Sequence, residues 1–135
     1  MQEVLCLRIE FDEFLEVHGH KGRVRMICFH GEVDSQLFQG KVMPGGVDTQ
    51  IREMGEVNRV SARYILEGRD YTGDSCRIFI ENNGMDPENG DSIQTRPRII
   101  TDSIALSWLE NADLYGTVSE QQGILYARIY CKKKI

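Results

Sequence analysis

The sequence predicts an all-β fold, a closed or nearly closed antiparallel β-barrel of about eight strands with one short helix. Three observations carry that prediction. Apolar residues recur mostly with a period of two, the signature of strands with one buried face. Turn-forming Gly, Asn and Asp residues cut these runs at short intervals. Only one segment has helical apolar spacing. The chain has 135 residues, the size of one ordinary domain, so residues 1–135 are read as a single barrel domain.

The elements follow in order. From Val4 to Phe11, Leu5, Leu7, Ile9 and Phe11 share one face. After the turn Gly19-His20-Lys21-Gly22, the run Arg23 to His30 sets Val24, Met26 and Cys28 against Arg23, Arg25 and Ile27. Pro44-Gly45-Gly46 marks another turn. Val57 to Leu66 places Val60, Ala62, Tyr64 and Leu66 opposite Arg59, Ser61 and Arg63. Thr72-Gly73-Asp74 precedes a strand with Cys76, Ile78 and Ile80 on one side. Asn82 to Gln94, rich in Asn, Gly, Asp and Pro, reads as a mobile surface loop. Asp102 or Ser103 is placed to cap a helix of at most two turns, with Ala105, Leu106, Trp108 and Leu109 on its apolar side. Gln121-Gln122-Gly123 joins the last two strands as a hairpin, and Leu125, Ala127, Ile129 and Cys131 alternate with Tyr126, Arg128 and Tyr130.

Charge excludes some functions. The net charge is −5 and the pI about 5.2, whereas a general nucleic-acid binder needs clustered cations to displace counterions from phosphates. Lys132-Lys133-Lys134 is the only basic run and reads as a solubilising tail. No run of eighteen apolar residues offers a membrane span, and Met1 leads directly into the first alternating pattern rather than a signal peptide. The expectation is a cytoplasmic protein without nucleic-acid or membrane partners. Its four scattered cysteines, Cys6, Cys28, Cys76 and Cys131, are then reduced and packed among strand residues.

A barrel of this size either encloses one small ligand or fills its interior with side chains. The alternation leaves open which strand face points inward. If the polar faces did, Tyr126, Arg128 and Tyr130, with Arg59, Ser61 and Arg63, would suit an anionic or carbonyl-bearing ligand. If not, those faces are solvated.

Several motifs stand in a recognisable order: Leu37-Phe38-Gln39-Gly40-Lys41-Val42-Met43-Pro44-Gly45-Gly46-Val47-Asp48, then Arg63-Tyr64-Ile65-Leu66, Arg96-Pro97-Arg98 and Ser107-Trp108-Leu109-Glu110-Asn111. The chain resembles the domain-of-unknown-function 3237 family over nearly its whole length. That resemblance implies a closed antiparallel barrel, broadly similar to the lipocalin and allene-oxide-cyclase types, with no activity assigned to the group. Thr49 stands where an aromatic residue often follows the Gly-Gly-x-Asp aspartate.

The candidate ligand-binding residues are Asp48, Tyr64, Arg96, Trp108 and Asn111. Asp48 follows two permissive glycines and is either a base or pocket acceptor, or the closure of an Asx-turn. Arg96 either clamps a carboxylate or pairs with Asp48 or Glu81. Trp108 stacks on a ligand or plugs the core. Asn111 binds a ligand or caps a loop, and Tyr64 is a pocket residue or a core residue with a satisfied hydroxyl. His18 and His20, beside a turn, read as exposed loop residues rather than as a metal site with His30, and no nucleophile or phosphate-binding motif appears. Neither a metal nor a cofactor is expected. Three functions remain: a small-molecule-binding barrel, a cofactor-independent isomerase or cyclase, and a filled barrel serving structure or interaction. A homodimer is an expectation resting on the general frequency of twofold oligomers. A cavity of a few hundred Å3 favours binding, a perturbed carboxylate inside it favours catalysis, and a filled interior favours the third.

Overall fold

The computed structural model describes residues 1–132; beyond Lys132, the basic tail lies outside the described residues. Nine strands run in order: β1 Gln2–His18, β2 Gly22–Asp34, β3 Phe38–Val42, β4 Val47–Glu53, β5 Asn58–Asp70, β6 Ser75–Asp86, β7 Ile93–Thr101, β8 Leu114–Gln121 and β9 Ile124–Cys131. All pairings are antiparallel. β3 and β4 act as one interrupted strand. Both lie between β2 and β5, with β3 on the later half of β2 and β4 on its earlier half. The ring therefore has eight positions and closes between β9 and β1. Apart from β3 and β4, which share one position, each strand pairs with the next in sequence, so most connections are short and the ring leaves few free edges.

The periodicity is physically realised. Leu7, Val60, Tyr64, Leu66, Ile78, Ile80, Ala127 and Ile129 are buried, while their chain neighbours face outward or are only partly covered. Gly40 lies opposite Gly68 across β3 and β5, and a Cβ at Gly68 would overlap the Gln39 carbonyl oxygen. The paired glycines let the two backbones approach where any side chain would block them. At the β8–β9 hairpin, Gln122 and Gly123 have φ of 53° and 81°, the two positive values that a type I′ turn requires.

One end of the barrel is closed. Between β7 and β8 the chain crosses this end, and Ser107–Asn111 forms a single 3-10 turn. Leu106 and Leu109 are buried in the core cluster. Ser103 Oγ accepts a hydrogen bond from the Leu106 amide and donates one to Asp70 Oδ2 at 2.8 Å. Asp70 Oδ1 accepts from the Thr72 and Asp74 amides and the Thr72 hydroxyl, tying the crossing segment to the β5–β6 turn. This short 3-10 element answers the expected helix, but its plug differs from one alternative. Leu106 and Leu109 fill the barrel end, whereas Trp108 is 45% exposed. With i→i+3 bonding, residues three apart align, so Leu106 and Leu109 share the inward side and Trp108 does not.

The segment Asn82 to Gln94 corrects a second expectation. β6 continues to Asp86 and β7 begins at Ile93, leaving only 87–92 between the strands. Asn82, Asn83 and Gly84 pair on both sides, with β5 and with β7. Their polar character reflects position at the barrel's other end rather than a surface loop. Among the described residues no helix is long and apolar enough to cross a membrane.

Candidate functional site

The open end is built differently from the plugged one. Cross-strand register places Phe14, Ile27, Asp48, Ala62, Asn82 and Pro97 in one row of partners from β1 to β7. Directly opposed residues share a face, and Ile27 and Asn82 are buried. Asp48 and Asn82 therefore point inward from either side of Ala62, whose methyl leaves space between them. Tyr64, two residues along β5 from Ala62, points the same way. Thr95 enters from β7, opposite Gly84 and Gly116. A Cβ at Gly116 would overlap Thr95 Oγ1, so glycine there leaves room for the hydroxyl.

These groups line a cavity of about 50 Å3 whose walls are otherwise apolar, with Ile9, Phe29, Val60 and Val118 among them. One buried water needs roughly 10–15 Å3 on this measure. The cavity thus has room for a few heavy atoms. It is not filled solid, and it is smaller than the few hundred Å3 that would enclose a whole drug-sized molecule. At its mouth the β1–β2 hairpin continues beyond the ring, because β9 accompanies β1 only as far as Ile9. Phe11 and Phe14 stand there edge to face, centroids 5.6 Å apart, and both are about half exposed.

Four polar atoms at the cavity have no hydrogen-bond partner: Asp48 Oδ1, Tyr64 Oη, Asn82 Oδ1 and Thr95 Oγ1. Proteins rarely leave buried polar atoms unsatisfied, each costing about 1–3 kcal/mol. Four around one apolar space mark a place where something else supplies the partners. Burial pushes the Asp48 carboxyl above its ordinary pKa, opposed by the Gln50 hydrogen bond and the Arg25 charge and reinforced by Asp86. Burial also pushes the Tyr64 hydroxyl well above the usual phenol range, so Tyr64 remains a neutral donor.

Of the five residues singled out in the sequence, Asp48 and Tyr64 meet at this cavity. Asp48 does not close an Asx-turn. It sits in β4 with Oδ2 accepting from Gln50 Nε2 at 2.9 Å. Tyr64 is buried, but its hydroxyl is unsatisfied rather than bonded. Arg96 lies on the outer surface, stacked 4.0 Å above the Tyr115 ring and paired with Asp113 at 3.1 Å, not with Asp48 or Glu81. Glu81 instead holds Arg63 at 3.0 Å. Trp108 and Asn111 belong to the closing turn at the opposite end.

The interior reading of the Arg- and Tyr-bearing faces is overturned. Leu125, Ala127 and Val60 line the cavity, so Tyr126, Arg128, Tyr130, Arg59, Ser61 and Arg63 point out. Arg128 stacks on Tyr126 at 4.8 Å and pairs with Glu3 at 3.3 Å, and Arg59 pairs with Glu53 at 3.2 Å. β2 is the exception. Ile27, Phe29 and Val33 are the buried set, which turns Arg25 inward at the mouth. Arg25, Gln50, Asn58, Asn82 and Thr95 are site residues the motifs did not reveal. Extending the alternation of Cys76, Ile78 and Ile80 by two steps would have put Asn82 and Gly84 on the inner face.

The molecule is thus an up-and-down antiparallel β-barrel, plugged at one end and carrying a small polar-lined cavity at the other. The chain belongs to the family described as Protein of unknown function (DUF3237), whose model matches residues 1–97. A UPF0311 protein of Clostridium acetobutylicum is 40% identical over 89 residues, covering 62% of this chain and 52% of that protein. The match thus spans about half the relative's length. A crystal structure of a C. acetobutylicum protein with unknown function superposes with a TM-score of 0.80 at 26% identity, covering 98% of both chains. The crystal structure of an enzyme from Penicillium herquei shares the fold at a TM-score of 0.72 and 16% identity, covering 96% of this chain and 92% of that one.

Proposed function

We propose that the protein binds a small, uncharged organic molecule whose hydrogen-bond-donor head enters the upper cavity and whose apolar body rests against Phe11 and Phe14. The observation that carries this reading is the set of unpartnered atoms around an apolar space. Asp48 Oδ1 and Asn82 Oδ1 are acceptors, so they call for an O–H or N–H on the ligand. Tyr64 supplies a donor that stays protonated, suited to a carbonyl or ether oxygen. A carboxylate or phosphate head would place its charge against Asp48 Oδ1, a repulsion strengthened by burial. The geometry therefore favours a neutral head over an anionic one. The volume admits only the head, which leaves the body to the exposed aromatic pair at the mouth.

Native mass spectrometry of gently purified protein, set against the denatured mass, tests this. A reproducible extra mass should be retained by the wild type and lost in Asp48→Ala and Tyr64→Phe. Thermal shift with matched alcohols, phenols and carboxylic acids gives the complementary readout. No retained mass and no shift with any compound would sink the binding reading. A shift with the acids alone would overturn the neutral head.

A second reading, cofactor-independent acid–base chemistry, is favoured by one observation: a carboxylate of raised pKa with one free oxygen in a largely apolar cavity. Such a group is suited to accept a proton from a bound substrate. The Penicillium herquei neighbour is described as an enzyme, which is an analogy of fold alone. Turnover of a retained ligand, abolished in Asp48→Asn, separates catalysis from binding.

A further inference from the structure

The cavity's acceptor is aimed by a residue that does not line it. Gln50 stands two positions beyond Asp48 on β4, points inward with it and is 8% exposed. Its Oε1 receives two hydrogen bonds, from Arg25 Nη2 at 2.8 Å and from Asn58 Nδ2 at 3.2 Å. Its Nε2 donates to Asp48 Oδ2 at 2.9 Å. The two ends of a glutamine amide are interchangeable in shape but not in chemistry. Guanidinium has donors only, so the end facing Arg25 must be the oxygen. The amino group then has to face Asp48, and the carboxylate is its natural acceptor. One oxygen of Asp48 is thereby engaged inside the protein while Oδ1 is left toward the cavity without a partner.

Resting on the binding reading of this cavity, we infer that Gln50 is its positioning residue: Arg25 and Asn58 fix the amide, and the amide fixes which oxygen of Asp48 is presented to the ligand. The direction of the acceptor is set from β2 and β5, across the interrupted strand. The charged and titratable groups facing Asp48 are Arg25 from β2, Tyr64 from β5 and Asp86 from the end of β6. Asp86 and Tyr64 make no hydrogen bond to it, so among the described residues Gln50 is the one whose side chain hydrogen-bonds the Asp48 carboxyl. A glutamine that merely filled space at the mouth would need no donor toward the carboxylate and no pair of donors on its oxygen.

The test reads the Asp48 carboxyl directly, by 13C NMR titration of the full ligand-free chain, in wild type, Gln50→Met, Arg25→Met and the double variant. Gln50→Met should raise the titration midpoint of Asp48, because it removes the donor that favours the ionised form. Arg25→Met should raise it as well, and Arg25→Lys should return most of the wild-type value. In the double variant the shift should be smaller than the sum of the two single shifts, because Arg25 acts on Asp48 partly by its own charge and partly through the amide it holds. Full additivity, or an unmoved midpoint in Gln50→Met, would overturn the inference even where melting temperatures fall. If Gln50→Met does not fold, Gln50→Leu removes the donor without adding a charge, so the same upward shift is expected. Native mass spectrometry on the same proteins should show ligand affinity reduced about tenfold or more in Gln50→Met, the loss expected when a charge-assisted hydrogen bond goes. A wild type that retains no ligand and answers to no compound defeats the binding reading alone, and the titration still decides the relay.

Discussion

Asp48 sits where function and stability pull in opposite directions. Its folded pKa is raised above the ordinary aspartate value of 3.8, so its ionised form is disfavoured by folding. The cost is absent below pH 3.8, where the carboxyl is neutral in both states. It grows as pH rises toward the folded pKa and is constant above it. Asp48→Asn keeps an acceptor for Gln50 and removes that cost. The variant should be more stable than wild type at pH 7 and no more stable near pH 3. Paired thermal melts at the two pH values check the sign. Substitution at Gly68 works in the other direction. Ala there pushes β3 from β5 in a core already filled by Phe38 and Leu66, and should cost about 1–3 kcal/mol in denaturant unfolding. At this scale Asp48 and Tyr64 were legible, because a carboxylate after two glycines and a tyrosine among inward aliphatics stand out. Gln50, Asn58 and Asn82 were not. An isolated amide carries no periodic signal, and only its cross-strand neighbours reveal that it is inside.

The strands were legible wherever one face was strictly apolar, as in β5, in β9 and in β6 up to Ile80. Legibility failed where that rule relaxed. β7 contains Pro97, and β8 carries Gly116 and Thr117 among its apolar residues. The latter half of β6 looked like loop because its inner face is Asn82 and Gly84. β1 shows a further limit, since alternation ends at Phe11 while the strand runs on to His18. A bulge between Phe11 and Phe14 shifts the register against β2, so side chains after it change face relative to the earlier count. Beyond the bulge β1 is bonded to β2 alone, which leaves one edge of residues 12–18 without a strand. Hydrogen exchange should divide β1 accordingly. Amides of Leu5 to Ile9 should exchange slowly, and those directed away from β2 within 12–18 should exchange orders of magnitude faster. Uniform protection along β1 would mean that another strand covers this edge in solution.

The whole barrel is closed by hydrogen bonds around its ring and by side chains at one end only, and its two ends respond oppositely to acid. Asp70, at the plugged end, has its folded pKa lowered below 3.8 by hydrogen bonds from Thr72 and Ser103 and by the Thr72 and Asp74 amides. Its stabilising contribution is full above pH 3.8 and is lost as pH falls through the folded value. Asp48, at the open end, becomes easier to accommodate at higher pH, as the pH falls toward 3.8, and its cost is already gone when Asp70 begins to protonate. The plugged end, although densely packed with Leu106 and Leu109, should therefore be the one that loosens first on acidification. The sequence contains one tryptophan, Trp108, and it rides on the closing turn. Its emission should shift to the red below pH 3.8 as Ser103 loses its hold on Asp70, before the global loss of β-sheet circular dichroism. Asp70→Asn weakens the charge-assisted bonds from Ser103 and Thr72 at any pH, so its spectrum at pH 7 should already lie toward the acid form of the wild type. If emission and sheet signal change together in the wild type, the turn is part of one cooperative unit with the barrel, and the Asp70–Ser103 bond does not control it separately.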